Sequence, residues 1–366
     1  MSDVEFEVLL LAGRFEVRGS SAYSIRLAAG LPGHGVAGRV VTSCARLVSP
    51  TGKDSLAIRE FHRLETPLWG CVVRHFLLRE LRLNPPQLIH IQSHRVLNLG
   101  RWLARRLKVP YLLTIHEHPG TCLRLRVDPA LCRRVITVSE SVRNELVDQL
   151  HFPSELVTVI SSGVETEAPA GLPLPLEPGH VPVIGTASPL EAVKGIPYFL
   201  GAARHVLDVR SHVEFLVAGA GPEEANLRRV TRELGITEKV TFVPNIRSFT
   251  DALAATDIFC LPSLQQGLGT TMLEAMALGR PVIATSVGGV ASVIRDGETG
   301  LVVPPSNSGE LAKKMIELLD NPPRARAIGN QARRLVVDEF NVATMVRKTA
   351  DVYRAAMAQS AASDRN

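Results

Sequence analysis

Short runs of branched apolar residues alternate with helix-length segments along almost the whole chain, and the alternation stops once and restarts. FEVLLLAG, the amphipathic SAYSIRLAAGL and GRVVTS open the chain as strand, helix and strand. LIHIQ, YLLTIH, RVITVS and VTVIS follow, each separated from the last by room for a helix. After the break come VPVIGTA, FLVAGAG, VTFVP, IFCLPS, PVIATS and GLVVP. Crossovers of this length join parallel strands, and helices then cover both faces of each sheet. The break itself, EAPAGLPLPLEPGHVP at 167–182, holds too much proline and glycine for a regular element. The pattern predicts an α/β chain of two doubly wound domains, 1–166 and 183–345, joined by a linker at 167–182. By pattern alone, the last helical stretch, VATMVRKTADVYRAAMA, fits either domain.

Composition agrees with that division. A chain of 366 residues is long enough for two domains, and 45% hydrophobic with 21% charged residues is ordinary for a folded soluble protein. No apolar run approaches the ~18 residues of a membrane helix. The opening MSDVEFEVLLLAG is acidic where a signal peptide is basic, so a cytoplasmic location is expected. Cys44, Cys71, Cys122, Cys132 and Cys260 are an odd, scattered set without C-x-x-C, which reads as buried free thiols. Up to Glu165 there are 21 basic and 15 acidic side chains, and 19 of the 21 are arginine. Such a half suits phosphates, anionic lipid, nucleic acid or an acidic acceptor, or is simply a solvated basic surface. It contains no recognisable nucleic-acid module.

Ligands of open parallel sheets sit beyond the carboxyl ends of the strands, so the loops there carry the chemistry. After IFCLPS comes LQQGLG and then a helix, TTMLEAMALG, ending at Gly279. The N–H groups opening a helix have no intrahelical partner and form an anion site, which Gly267 and Gly269 open to close approach. Glu274 has two readings: the partner of Thr271 in a capping box, or an acceptor for ribose hydroxyls. FLVAGAGPEE places Gly219 and Gly221 straight after a strand, for a nucleotide or for plain architecture. Lys194-Gly195 opens another helix, where a lysine either neutralises a diphosphate or is solvated. Gly288-Gly289 is a candidate sugar-side wall, and DGETG a structural turn.

In the first half, Gly19-Ser20-Ser21 lies between strand and helix without the G-x-G-x-x-G of a nicotinamide site. His116, Glu117 and His118 end a strand. An H-x-H without an obvious third ligand is weak support for a metal, and a polar group positioned beside a reacting sugar is favoured. WGCVVRHFLLRELRL, 69–83, is apolar nearly all round, so it reads as a buried helix or one lying on a membrane surface.

In their order and spacing these pieces resemble the retaining GT-B glycosyltransferases of the large group 1 (family 4) class, which includes bacterial exopolysaccharide and lipopolysaccharide sugar transferases. The likeness runs from FEVLLLAG…GSSAYSIRLAAGL through IHIQSH, LLTIHEH and VITVSESVRNEL to LEAMALGRPVIATSVGGVASVIRDGETGLVVPP. It implies two facing Rossmann-like domains with a cleft between them. The first would hold a carbohydrate or lipid-linked acceptor, and the second a UDP-, GDP- or ADP-sugar. It also implies no metal, and a final helix, 346–366, crossing back to the first domain. Carried over residue by residue, Glu274 would hold the ribose and Lys194 the diphosphate. Gly221, Gly267, Leu268, Gly269, Thr270 and Thr271 would line the nucleotide site. Gly19 and Ser20 would face the distal phosphate, and His116 the donor sugar.

Three positions depart from that pattern. Gln266 stands where the first of two signature glutamates is expected, Pro189 where an arginine precedes the lysine, and Ser161-Ser162 where Pro-Asn is usual. An amide still accepts a hydrogen bond, but a charged acceptor contributes about 1.5–3 kcal/mol against about 1 for a neutral one. Pro189 removes a bidentate guanidinium from a leaving group that gains negative charge. The resemblance thus implies a transferase, with a nucleotide-sugar binder of impaired turnover as the alternative.

Overall fold

The computed structural model describes residues 4–16, 19–45, 48, 50–66, 69–118, 125–244 and 249–363. The chain divides into two compact units, Met1–Gly163 with Val342–Asn366, and Val164–Asn341. The junctions therefore fall a few residues before those expected at 166 and 345. Val164 forms a parallel bridge with Asn341, and its N–H donates to the Phe340 carbonyl at 2.8 Å. The chain thus enters and leaves the second unit side by side.

In the first unit, seven parallel strands are β1 (Phe6–Leu11), β2 (Val36–Thr42), β3 (Ile58–Glu60), β4 (Leu88–Ile91), β5 (Tyr111–Ile115), β6 (Cys132–Thr137) and β7 (Val157–Val159). They run β3-β2-β1-β4-β5-β6-β7, so the order reverses between β1 and β4. The three-residue edge strand β3 had no apolar run to announce it. Helix Val342–Ser363 buries Met345, Val346, Ala350, Tyr353 and Ala356 in this unit's core.

Six parallel strands build the second unit: β8 (Val183–Ala187), β9 (Glu214–Ala218), β10 (Val240–Val243), β11 (Ile258–Leu261), β12 (Val282–Thr285) and β13 (Leu301–Val303). Their order is β10-β9-β8-β11-β12-β13, reversing between β8 and β11. The stretch expected as a linker belongs to this unit. Leu176 joins its core, Arg280 donates to the Pro173 carbonyl at 3.0 Å, and Arg326 to those of Pro175 and Leu176 at 2.8 and 2.7 Å. Proline and glycine exclude helix and ladder, but their carbonyls remain free to be strapped down.

Two sequence expectations change. Helix Trp69–Leu83 is neither fully buried nor free: Gly70, Leu77, Leu78 and Leu81 face inward. Trp69, Val72, Phe76 and Leu83 are 57%, 48%, 64% and 80% exposed. Their spacing puts them along one stripe. Of the cysteines, Cys132 and Cys260 are buried as expected, but Cys71 is exposed and Cys44 half-buried. Cys122 lies outside the described residues.

Candidate functional site

In the second unit, the loops leaving β8 and β11 meet where the strand order reverses, the usual ligand crevice of an open sheet. Behind β8 the tight turn Ala192–Lys194 ends at Gly195, whose φ is +63°. A Cβ there would sit 2.0 Å from the Pro262 carbonyl oxygen, and the Leu264 N–H donates to the Val193 carbonyl at 2.8 Å. Only glycine permits that approach, and it carries Lys194 to the loop after β11. The Lys194 Nζ donates to Gln266 Oε1 at 3.1 Å, and Ser263 Oγ donates to the same oxygen at 3.2 Å. The Gln266 backbone carbonyl accepts from the Gly289 N–H at 3.2 Å, which joins the candidate glycine wall to this loop.

Helix Thr270–Ala277 follows, with Gly267, Leu268 and Gly269 buried ahead of it. Its N-cap is Gly269, at φ 95° and ψ 56°, and no side chain caps it. Thr271 is therefore inside the helix, and Glu274 is past the first turn. The capping-box reading fails for that reason. Thr270, Thr271 and Glu274 are half-buried, and the i, i+4 spacing sets Thr270 and Glu274 on one face.

Gly219 and Gly221 have an architectural cause. A Cβ would meet the Ser188 carbonyl oxygen at 1.9 Å from Gly219 and the Leu190 carbonyl oxygen at 2.3 Å from Gly221. The Ser188 and Leu190 N–H groups donate to the Ala218 and Ala220 carbonyls, both at 3.0 Å. The loop carrying Pro189 is thus laced onto the end of β9, against Gly219 and Gly221.

The first unit has its own pocket, at the ends of β1, β4 and β5. Ser20, Gln92, Thr114, His116 and Glu117 are among the residues lining it. Gly19 and Ser20 open helix Gly19–Gly30, and the Ser24 hydroxyl lies 3.0 Å from the Ser20 carbonyl. Burial pushes the His116 ring down to about 4, against a partly restoring hydrogen bond to the Gln92 backbone. It is neutral at ordinary pH. Its Nε2 has no hydrogen-bond partner, and Tyr23 stands edge-on to the ring at 4.9 Å. His118 turns elsewhere: its Nδ1 meets Glu145 and its Nε2 lies 3.4 Å from Ser141 Oγ. Among the described residues, no group of three or more His, Cys, Asp or Glu is placed to hold a metal ion.

Beneath that pocket, His90 on β4 is fully buried, and burial pushes its ring down to about 3. Its Nδ1 lies 2.6 Å from Tyr353 Oη and its Nε2 2.7 Å from Thr114 Oγ1. A neutral imidazole has one donor and one acceptor, so both nitrogens are matched. A hydroxyl on the C-terminal helix is thereby linked to a residue of the pocket floor. Neither Tyr353 nor Gln92 was singled out from the sequence. Gln92 was visible only as the polar residue ending LIHIQ, and nothing local marks Tyr353.

Comparison with known proteins follows the same division. The family described as Glycosyl transferases group 1 matches residues 181–321, and Glycosyltransferase Family 4 matches 17–168. Alpha-D-kanosaminyltransferase of Streptomyces kanamyceticus is 26% identical over 284 residues, 69% of this chain and 72% of that protein. The 2-deoxystreptamine glucosyltransferase of the same organism is 28% identical over 276 residues, 66% and 70% of the two chains. The crystal structure of Anabaena Alr3699/HepE in complex with UDP and glucose superposes with a TM-score of 0.81 at 19% identity, covering 96% of this chain and all 100% of that one. The two-sheet architecture is that of GT-B proteins.

Proposed function

The chain belongs to the glycosyl transferases of group 1, within glycosyltransferase family 4, and on that premise we propose that it moves a hexose from a UDP-, GDP- or ADP-sugar to an acceptor hydroxyl with retention. The observation that carries the proposal is the Lys194–Gln266 hydrogen bond at 3.1 Å, set between the ends of β8 and β11 and followed directly by an uncapped helix start. A diphosphate placed there meets an ammonium and the N–H groups of Thr270 and Thr271, which offset its charge without calling on a metal ion. Glu274 is assigned to the ribose and Gln266 to a sugar hydroxyl. In the first unit, Gly19, Ser20 and His116 are assigned to the sugar and acceptor side.

In the proposed step the bond from the anomeric carbon to the diphosphate oxygen breaks. The acceptor oxygen bonds to the same face, and its proton passes to the departing diphosphate oxygen. Support for a nucleotide sugar comes from HepE, solved with UDP and glucose. Relatives named alpha-D-kanosaminyltransferase and 2-deoxystreptamine glucosyltransferase support transfer of a sugar to an acceptor. A product in polysaccharide, lipopolysaccharide or glycolipid synthesis completes the reading. The exposed stripe of Trp69, Val72, Phe76 and Leu83 is assigned to an anionic membrane surface. Sedimentation with anionic but not neutral vesicles, lost in Phe76→Asp, is the expected result; equal recovery with both vesicle types refutes the assignment.

The test of the main proposal is release of UDP, GDP or ADP from a donor panel in the presence of sugar acceptors. Binding without release across the panel would leave a nucleotide-sugar binder, the reading that the amide of Gln266 and the missing arginine at Pro189 favour. Gln266→Glu is expected to raise turnover about tenfold, since a charged acceptor adds about 1.4 kcal/mol to a sugar-hydroxyl bond. A fall in turnover would instead show that Gln266 serves to hold Lys194 without neutralising it. Pro189→Arg, alone and combined with Gln266→Glu, completes the comparison.

A further inference from the structure

The side-chain amide of Gln266 has one orientation. An ammonium can only donate, so the atom facing Lys194 Nζ at 3.1 Å has to be the oxygen, Oε1. Ser263 Oγ donates to the same oxygen at 3.2 Å, and among the described residues that hydroxyl has no other hydrogen-bond partner. An amide oxygen has two lone pairs, so the protein itself takes both. The scaffold behind it is pinned. Ser263 is 1% exposed, its carbonyl accepts from Thr285 Oγ1 at 2.5 Å, and the Gln266 carbonyl accepts from the Gly289 N–H at 3.2 Å. What remains is Nε2. Among the described residues none accepts from it, and it is not one of the buried unmet atoms, so its two protons are open to solvent.

A glutamate, which the family resemblance implies at this position, would offer a ligand only acceptors and so suit a hydroxyl that donates. Gln266 offers only donors. We propose that this inverts the sugar preference: the donor sugar carries a carbonyl-type oxygen without a proton, a carboxylate or an acyl group, and Gln266 Nε2 donates to it. Resting on the transferase reading and deepening it, this makes Gln266 a residue that selects the sugar. A carboxylate at position 266 would repel a hexuronate and would set acceptor against acceptor at an acyl carbonyl. The amide removes both penalties, and selection of this kind works by penalising the wrong partner. A hydroxyl can accept from Nε2 as well, but its own proton then finds no free lone pair on Gln266.

A donor panel built on one nucleotide tests this: the plain hexose, its uronate and its N-acetylated amino analogues. Values of kcat/KM would be measured for the unaltered protein, Gln266→Glu and Gln266→Met, with thermal melting to establish that each variant is folded. Every donor shares the diphosphate, so effects transmitted through Lys194 cancel in the ratio between two donors. The unaltered protein should favour one carbonyl-bearing donor over the plain hexose by about tenfold, the worth of one such bond. Gln266→Glu keeps the size of the side chain and turns donor into acceptor. The tenfold gain expected of it above is then confined to the plain hexose, and the ratio should fall about 100-fold. Gln266→Met, which has neither group, should lower the ratio about tenfold. Whether the uronate or an N-acetylated donor shows the shift identifies the oxygen as carboxylate or acyl. A ratio that neither substitution moves, or an unaltered protein that prefers the plain hexose, overturns the proposal and leaves Gln266 as a holder of Lys194. Turnover by the unaltered protein tests the transferase reading separately. If it turns nothing over, dissociation constants for the same panel provide the same ratios.

Discussion

Lys194→Ala should lower kcat/KM by about 100- to 1,000-fold, the loss typical when one preorganised group facing a developing negative charge is removed. The leaving diphosphate gains charge as the bond to the sugar lengthens. With Pro189 in place of the arginine that the family resemblance implies, the proposal rests more of that stabilisation on Lys194. The substitution has a second effect. Lys194 also donates to Gln266 Oε1, so without it that oxygen retains the 3.2 Å contact from Ser263 Oγ while losing its cationic donor. Lys194→Arg should recover part of the rate, since it restores charge but not the reach of a flexible ammonium. Initial rates with any donor that the unaltered protein turns over provide the measurement. Melting should be nearly unchanged, because the side chain is half-buried and packs in no core. An unchanged rate would remove Lys194 from the chemistry and, with it, the proposed diphosphate site.

Asp257→Ala should destabilise the second unit by about 3 kcal/mol, the cost of stranding one buried and one part-buried backbone donor. The Asp257 Oδ1 accepts the Leu176 N–H at 2.7 Å, and its Oδ2 accepts the Val183 N–H at 2.8 Å. His180 Nε2 meets both oxygens at 3.0 and 2.9 Å. The carboxylate also opposes the burial that lowers the pKa of Arg280, a guanidinium only 1% exposed. Removing it leaves that cation deep in the protein with the Pro173 and Ala254 carbonyls as its hydrogen-bond partners. At about 2–4 °C per kcal/mol for a domain of this size, the melting temperature should fall by roughly 10 °C. Asp257→Asn, which keeps one acceptor oxygen, should fall less. Amide exchange at Leu176 and Val183 would locate the damage. Unaltered exchange there would mean that the strap is held by Arg326 and the core contact of Leu176 instead.

Both predictions concern residues that local pattern shows unequally. The loop carrying Gln266 was legible because a strand end, a Gly-rich turn and a helix start occur in consecutive residues, the setting of the proposed anion site. The two sheets were legible for a similar reason: period and length separate strand from crossover helix without reference to anything distant. The capping-box reading set Glu274 two positions too near the helix start because Thr271 mimics a cap. The positive φ at Gly269 starts the helix two residues earlier, and the sequence does not show φ.

The amino-acid order by itself determined two parallel α/β units, their helices, and the Gly-rich loops that leave their strands. These depend on spacing between near neighbours, and near neighbours are what a linear string records. Only the tertiary structure decided that the proline-rich stretch belongs to the second unit, and that residues 72 apart join as Lys194 and Gln266. It alone decided that Tyr353 supports His90 across 263 positions, and that His116 is left with an unmet polar atom. Whether a buried polar atom is satisfied depends on every chain segment that packs around it, and that exists only once the sheets have formed.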